Sequence, residues 1–273
     1  MTAPLPQSLV LLGAGKMGGA MLEGWLRIGM DPHGITLVDP HPSDEIVTLA
    51  QEKGMALNPS AQAVAPADVL VLATKPQMLD TAAPAVQAFI HPNTLLISIL
   101  AGKTLGNLAA RLPTANAIIR AMPNLPASVQ RGVTAAAPGA GVSVAQRAMA
   151  DALLGSIGRV EWLDDENLID AVTAVSGSGP AYVFHLVECL AAAGAEAGLP
   201  PAIAERLARA TVEGAGEMLF QSPLSPATLR QNVTSPGGTT AAALAVLMAD
   251  EGLKPLMVKA VAAAKRRAGE LSG

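Results

Sequence analysis

The sequence of 273 residues predicts an α/β chain in two parts, a doubly wound, mostly parallel sheet followed by an all-helical segment. From residue 9 to about residue 163, short apolar runs alternate with segments of helix length, the pattern left by strands buried on both faces and the helices that cover them. After Trp162 and Leu163 the strand signals stop, and helical spacing takes over. The boundary is therefore set near Asp164, with residues 1–163 as one domain and 164–273 as the other.

The strands read in order as Leu9 to Leu12, Ile35 to Val38, Val69 to Ala73, Leu95 to Leu100, Ala117 to Arg120, Val133 to Ala136 and Arg159 to Leu163. The first helix follows over Ala20 to Ile28. The uncharged stretch from Thr81 to Gly102 contains His91-Pro92-Asn93, a turn signal, and so reads as helix, turn and strand rather than a membrane span. In the second part, Asp164-Asp165-Glu166 puts acids where a helix start favours them. Ser178-Gly179-Pro180 opens the next helix with Ser178 as its cap, and Pro200-Pro201, Ser225-Pro226, Thr239-Thr240 and Leu253 start four more.

Composition narrows the function classes. Half the residues are apolar (51%) and 15% are charged, enough for a sizeable core without metals or disulfides. Only 2% are aromatic and the formal net charge is −4, so neither a basic footprint nor stacking platforms point to nucleic acid. Cys189 is the single cysteine; it suits a reducing cytoplasm and reads as a small buried hydrophobe. His33, His41, His91 and His185 lack metal-ligand spacing, so no metal is expected. Met1 to Gln7 carries no basic cluster and reads as no signal peptide. The alanine- and leucine-rich helices are expected to complete their core against a second copy of the chain.

Two stretches are suited to anions. Gly13, Gly15 and Gly18 stand in G-x-G-x-x-G spacing between the first strand and its helix. Such glycines make the tight turn, admit a pyrophosphate to the backbone and let helix pack on strand. The second strand ends in Asp39, at the spacing from which a carboxylate reaches an adenosine ribose. The other stretch is Ser235-Pro236-Gly237-Gly238-Thr239-Thr240, running into the apolar helix Ala241 to Met248. Its glycines allow a sharp turn, and the first-turn amides and helix dipole then point at one spot. Thr74-Lys75-Pro76-Gln77, Ala101-Gly102 and Met122-Pro123-Asn124 follow strands where sheets of this kind bind ligands.

Taken together, the blocks Gly13 to Gly18, Ala73-Thr74-Lys75-Pro76-Gln77, Arg120-Ala121-Met122-Pro123-Asn124, Ala174 to Tyr182 and Asn232 to Thr240 resemble pyrroline-5-carboxylate reductase over nearly the whole chain. The resemblance implies a Rossmann-type domain followed by a helical, substrate-binding dimerisation domain. It implies reduction of the cyclic imine 1-pyrroline-5-carboxylate to L-proline with NADPH or NADH, the last step of proline synthesis. Holding the ring carboxylate would set a near-attack geometry of about 3–3.5 Å. On the cofactor side it implies Leu12, Gly13, Ala14, Gly15, Lys16, Met17 and Gly18 at the pyrophosphate. It adds Ala73, Thr74, Lys75 and Pro76, and Ile99, Leu100 and Ala101 beside the nicotinamide ribose. On the substrate side Gly237 and Gly238 form the turn, the amides of Thr239 and Thr240 clamp the carboxylate, and the Thr240 hydroxyl meets the ring nitrogen. Asn232 and Glu166 lie near the same substrate by analogy. His185, with Glu188 one turn away, is set aside as a packed or capping group.

Asp39 departs from a family that mostly prefers the phosphorylated nucleotide, because an acid there suits an unphosphorylated ribose and repels a 2′-phosphate. His41 and Ser43 would still serve a phosphate if the loop turned Asp39 away, so the cofactor choice stays open, with measurable NADH activity expected. Two other readings compete. One is a beta-hydroxyacid dehydrogenase, although Asp164 to Leu199 contains no lysine to act as its base. The other is a non-catalytic sensor of nicotinamide nucleotides, which would need no second anion site.

Overall fold

A computed structural model describes residues 5–60, 63 and 65–272. Among these residues eight strands form one sheet: β1 (Leu9–Leu12), β2 (Ile35–Val38), β3 (Ala56–Leu57), β4 (Val69–Leu72), β5 (Leu95–Ser98), β6 (Ala117–Met122), β7 (Gly132–Pro138) and β8 (Gly158–Trp162). Their order is β3-β2-β1-β4-β5-β6-β7-β8. Every neighbouring pair is parallel except β6 and β7, which run antiparallel. The helices of this part are α1 (Lys16–Arg27), α2 (Asp44–Lys53), α3 (Leu79–Val86), α4 (Leu105–Arg111), α5 (Val144–Gly155) and the short α6 (Ile169–Val172).

The sheet has a core on each face. All four residues of β1, β4 and β5 are buried, which is why these strands read as unbroken apolar runs rather than alternating ones. Along β1, Leu9 and Leu11 pack with Met21, Trp25 and Leu37, while Val10 and Leu12 pack with Leu70, Leu79 and Phe89. Successive side chains of a strand leave opposite faces, and here each face has its own helix layer to meet them. Trp25 is fully buried and its indole N–H donates to the Leu153 carbonyl at 3.0 Å. Trp162 carries the Arg147 guanidinium over its ring at 4.5 Å and donates to Asp151 Oδ1 at 2.9 Å.

Chain contacts divide the molecule into two compact units, one running through Gly177 and including the residues from Lys265 onward, the other comprising Ser178–Ala264. The second unit holds α7 (Gly179–Glu196), α8 (Pro201–Gln221), α9 (Pro226–Asn232), α10 (Thr239–Leu247) and the start of α11 (Leu253–Ser272). α7 and α8 approach closely through small side chains; a Cβ on Gly194 would stand 3.2 Å from that of Ala204. Among the described residues, only Ala204 and Ala208 of this unit are buried. Phe184, Leu186, Phe220, Val246, Leu256 and Val258 are all exposed on the single chain.

Four local expectations are corrected. Cys189 is exposed rather than buried, because none of the described residues covers it on that face of α7. Ser178 makes no side-chain cap, since Thr173–Gly177 forms a π-helical turn that runs straight into α7 and leaves no free helix start there. The first helix begins at Lys16, four residues before Ala20, directly on the glycine turn. The two-residue β3 carried no readable period and was not expected.

Candidate active site

The glycine turn has the geometry its spacing suggested. Gly13 sits at φ +90°, a conformation that favours glycine, and a Cβ there would lie 2.9 Å from the Ala73 carbonyl carbon and oxygen. Gly18 is packed tighter still, with a Cβ placed only 2.1 Å from the Gly13 carbonyl oxygen. Gly15 is the opposite case: nothing stands within 4 Å of its would-be Cβ. As the N-cap of α1 it offers no side-chain cap, so the first amides of the helix keep their hydrogens for an outside acceptor. Open space before an uncapped helix end is the cradle a pyrophosphate requires, and these residues fit a dinucleotide.

A cleft of about 940 Å³ opens beside this turn, bordered by Gly15, Lys16, Asp39, His41 and Ser43. The Asp39 carboxylate accepts from the Ala14 amide at 2.8 Å through Oδ2 and from the His41 amide at 2.9 Å through Oδ1. Its backbone is held as well: Asn58 Oδ1 accepts from the Asp39 N–H at 2.9 Å, and Asn58 Nδ2 donates to the Asp39 carbonyl at 2.7 Å. Further carboxylates line the same cleft on Glu23, Asp44, Glu45 and Glu52. Ser43 caps α2, accepting from the Ile46 amide at 3.4 Å.

The loops after β1, β4 and β5 lie side by side. The Gly13 amide donates to Val38, the Ala73 amide to Leu12 and the Ile99 amide to Leu72, each extending the sheet ladder by one bond beyond its strand. The structure thereby brings Gly13 to Met17, Asp39, Ala73 to Pro76 and Ile99 to Ala101 to one edge. Lys75 is exposed and begins the 3-10 turn Pro76–Met78. Beside it, Asp80 on α3 is ion-paired with Arg111 on α4, whose hydrogen bond holds the Asp80 carboxyl below its ordinary range.

One pairing at this edge is not legible in the sequence. Arg120, near the end of β6, is buried and sits 3.0 Å from Glu166 Oε1 and 3.8 Å from Asp170 Oδ1. Glu166 Oε1 also accepts the Leu105 amide at 2.7 Å, at the first residue of α4. Nearby, Asn124 accepts from the Val133 amide and donates to the Ser176 carbonyl within the π-helical turn. A strand arginine with a glutamate 46 positions later is an ordinary pair in a sequence; only the low exposure marks it as unusual.

In the second unit, Gly237 takes φ +71° and Gly238 caps α10 with no side-chain bond. The helix therefore starts at Thr239 with its first amides unpaired within the helix. Thr239, Thr240 and Asn232 make no side-chain hydrogen bonds among the described residues, and Thr240 is half-buried. His185 is exposed, 2.9 Å from Glu188 Oε2 and 3.5 Å from the Cys189 sulfur, and so is neither packed nor a helix cap.

A doubly wound sheet with this nucleotide turn, carrying a helical unit with its own open helix end, defines a Rossmann-type oxidoreductase that works with a nicotinamide nucleotide. A family model described as pyrroline-5-carboxylate reductase dimerisation matches residues 166–271, and one described as NADP oxidoreductase, coenzyme F420-dependent, matches residues 8–102. The chain is 39% identical to the pyrroline-5-carboxylate reductase of Pseudomonas aeruginosa over 97% of its own length and 96% of that protein, and 42% identical to that of Synechocystis over 96% and 97%. It belongs to the pyrroline-5-carboxylate reductase family. It reduces 1-pyrroline-5-carboxylate to L-proline with NADPH or NADH, the last step of proline biosynthesis.

Solved structures agree. The pyrroline-5-carboxylate reductase of Coxiella burnetii superimposes with a TM-score of 0.90 at 34% identity, covering 98% of this chain and 99% of that one. The Plasmodium falciparum enzyme, solved with NADP bound, gives 0.77 at 27% identity over 97% and 98%. The hydroxyacid dehydrogenase and sensor readings fall with these matches.

Proposed function

We propose that the reductase divides its work between the edge of the sheet and the start of α10. At the sheet edge, the amides from Gly15 to Gly18 hold the cofactor pyrophosphate. Ala73 to Pro76 and Ile99 to Ala101 flank the nicotinamide side, and Leu12 to Ala14 complete the turn. The bound dihydronicotinamide supplies a hydride to the imine carbon. The amides of Thr239 and Thr240 grip the ring carboxylate, each charge-assisted bond contributing about 1.5–3 kcal/mol. The Thr240 hydroxyl meets the ring nitrogen, because one group that can both donate and accept follows the imine as it becomes an amine. Asn232 and Glu166 are assigned to the substrate by the family resemblance alone.

The observation that carries this reading is the uncapped start of α10, an anion site with no partner of its own in the described chain. The test is a crystal grown with L-proline, which should place the carboxylate at the Thr239 and Thr240 amides; density elsewhere would refute the assignment. Loss of nicotinamide absorbance with the imine, run with both nucleotides, measures the activity itself.

The working form is a homo-oligomer built from dimers. The match to a dimerisation model and the apolar residues left exposed on the helical unit support this. Among the described residues no helix is long and apolar enough to cross a membrane. The single cysteine fits residence in the reducing cytoplasm.

A further inference from the structure

Arg120 is the one ionisable residue among the buried polar side chains described. Its side chain is 6% exposed, against 24% for Glu166 and 26% for Asp170. A guanidinium this far from water has to be paired. The usual economical pairing is a bidentate fork onto one carboxylate, and Arg120 does not use it. One arm, Nη1, goes to Glu166 Oε1 at 3.0 Å, while the other, Nη2, faces Asp170 Oδ1 at 3.8 Å. The Leu105 amide donates to the same Glu166 oxygen at 2.7 Å. Both hydrogen bonds to Glu166 thus end on Oε1, and among the described residues none engages Oε2.

We propose that Arg120 is a positioning residue: with the Leu105 amide it grips Glu166 by Oε1, so that Oε2 is offered in fixed orientation to the ring nitrogen of the cyclic imine. This rests on the assignment of Glu166 to the substrate site. The chemistry explains why an ionised oxygen is wanted. A C=N carbon accepts hydride readily when its nitrogen is protonated; the hydride forms the new C–H bond, the π pair becomes the nitrogen lone pair, and the nitrogen keeps its proton. A carboxylate accepting a hydrogen bond from that N–H favours the protonated imine, and the Thr240 hydroxyl then serves the lone pair that hydride transfer leaves on the nitrogen. The Leu105 amide follows directly on Thr104, which caps α4 in a reciprocal capping box with Asn107. Glu166 is therefore anchored on one side to a strand and on the other to a capped helix.

The charged groups around Glu166 are few. Arg120 reaches it from β6, Asp170 on α6 shares the guanidinium, and among the described residues no other ionisable side chain is bonded or ion-paired to Glu166.

The experiment measures kcat and KM for the imine in the full-length enzyme and in Arg120→Met, Arg120→Lys and Glu166→Gln. Cofactor Kd is followed in parallel by fluorescence of the reduced nucleotide. Arg120→Met should raise KM for the imine about tenfold or more, with cofactor Kd unchanged within about twofold. Arg120→Lys, which keeps the charge but loses the split fork, should raise the imine KM several-fold. Glu166→Gln should lower kcat/KM about tenfold or more. An unchanged imine KM in Arg120→Met, with Glu166→Gln still impaired, would overturn the positioning role alone. A fully active Glu166→Gln would overturn the assignment of Glu166 and this proposal with it. Should Arg120→Met fail to fold, Arg120→Lys decides: a raised KM for the imine supports the role and an unchanged one overturns it.

Discussion

The carboxylate of Asp39 is hydrogen-bonded to the amide of Ala14 at 2.8 Å, which ties the acid at the end of β2 to the glycine turn after β1. Each Asp39 oxygen spends one acceptor site on a backbone amide, and a carboxylate has about four such sites. Two remain for the hydroxyls of an unphosphorylated ribose. A 2′-phosphate would instead meet Asp39, Asp44 and Glu45, with Lys16 the one lysine or arginine among the cleft's lining residues. We expect measurable turnover with NADH. Asp39→Ser should shift the ratio of kcat/KM toward NADPH by roughly tenfold, about 1.4 kcal/mol. A wild-type enzyme strongly selective for NADPH would show that Asp39 does not face the ribose.

Gly18 and Gly15 should part company on substitution. Gly18→Ala drives a Cβ into the Gly13 carbonyl oxygen at 2.1 Å. That clash should cost about 3 kcal/mol and lower the melting temperature by roughly 5–10 °C. Gly15→Ala meets open space, so the melting temperature should stay within about 2 °C while cofactor Kd rises about tenfold. Thermal unfolding and nucleotide titration separate the two effects.

At the start of α10, Thr240→Val removes a hydroxyl without changing the helix. Cofactor affinity should hold while kcat falls roughly 10- to 100-fold; an unchanged kcat would end the ring-nitrogen assignment. Gly238→Val places its Cβ 3.2 Å from the Ser235 carbonyl oxygen, crowding the turn that aims the amides. There the imine KM should rise about tenfold.

The helical unit buries little of itself. With Ala204 and Ala208 its only buried residues among those described, its folding should draw on contacts with another copy. Light scattering at micromolar concentration should give at least twice the chain mass, and the melting temperature should climb with protein concentration. Cys189, exposed on the single chain, should react with thiol reagents faster as the protein is diluted. A monomer with a concentration-independent transition would contradict this.

The central strands were legible because burial on both faces leaves a continuous apolar signature, and Leu9 to Leu12 is buried at every position. Helix starts at Pro201 and Pro226 were legible from their prolines. Pairing direction was not: nothing in Gly132 to Pro138 announces that it lies antiparallel to β6. The glycine turn could be read from spacing, since each glycine answers a local steric demand. The bonds of Asp39 and the ion pair of Arg120 could not, because the partners are 25 and 46 residues away and only folding sets their distance. Cys189 was misjudged since an apolar helix face tells that something covers it, not whether the cover belongs to the same chain.

Trp25 and Trp162, the only two tryptophans, both belong to the sheet unit, and the single tyrosine, Tyr182, lies on α7. Indole emission from this protein is thus a spectroscopic reporter of the sheet unit alone. If the helices come apart before the sheet does, the far-ultraviolet dichroism will fall while the fluorescence stays silent. A melt followed by light emission alone would describe a sturdier enzyme than the one that works.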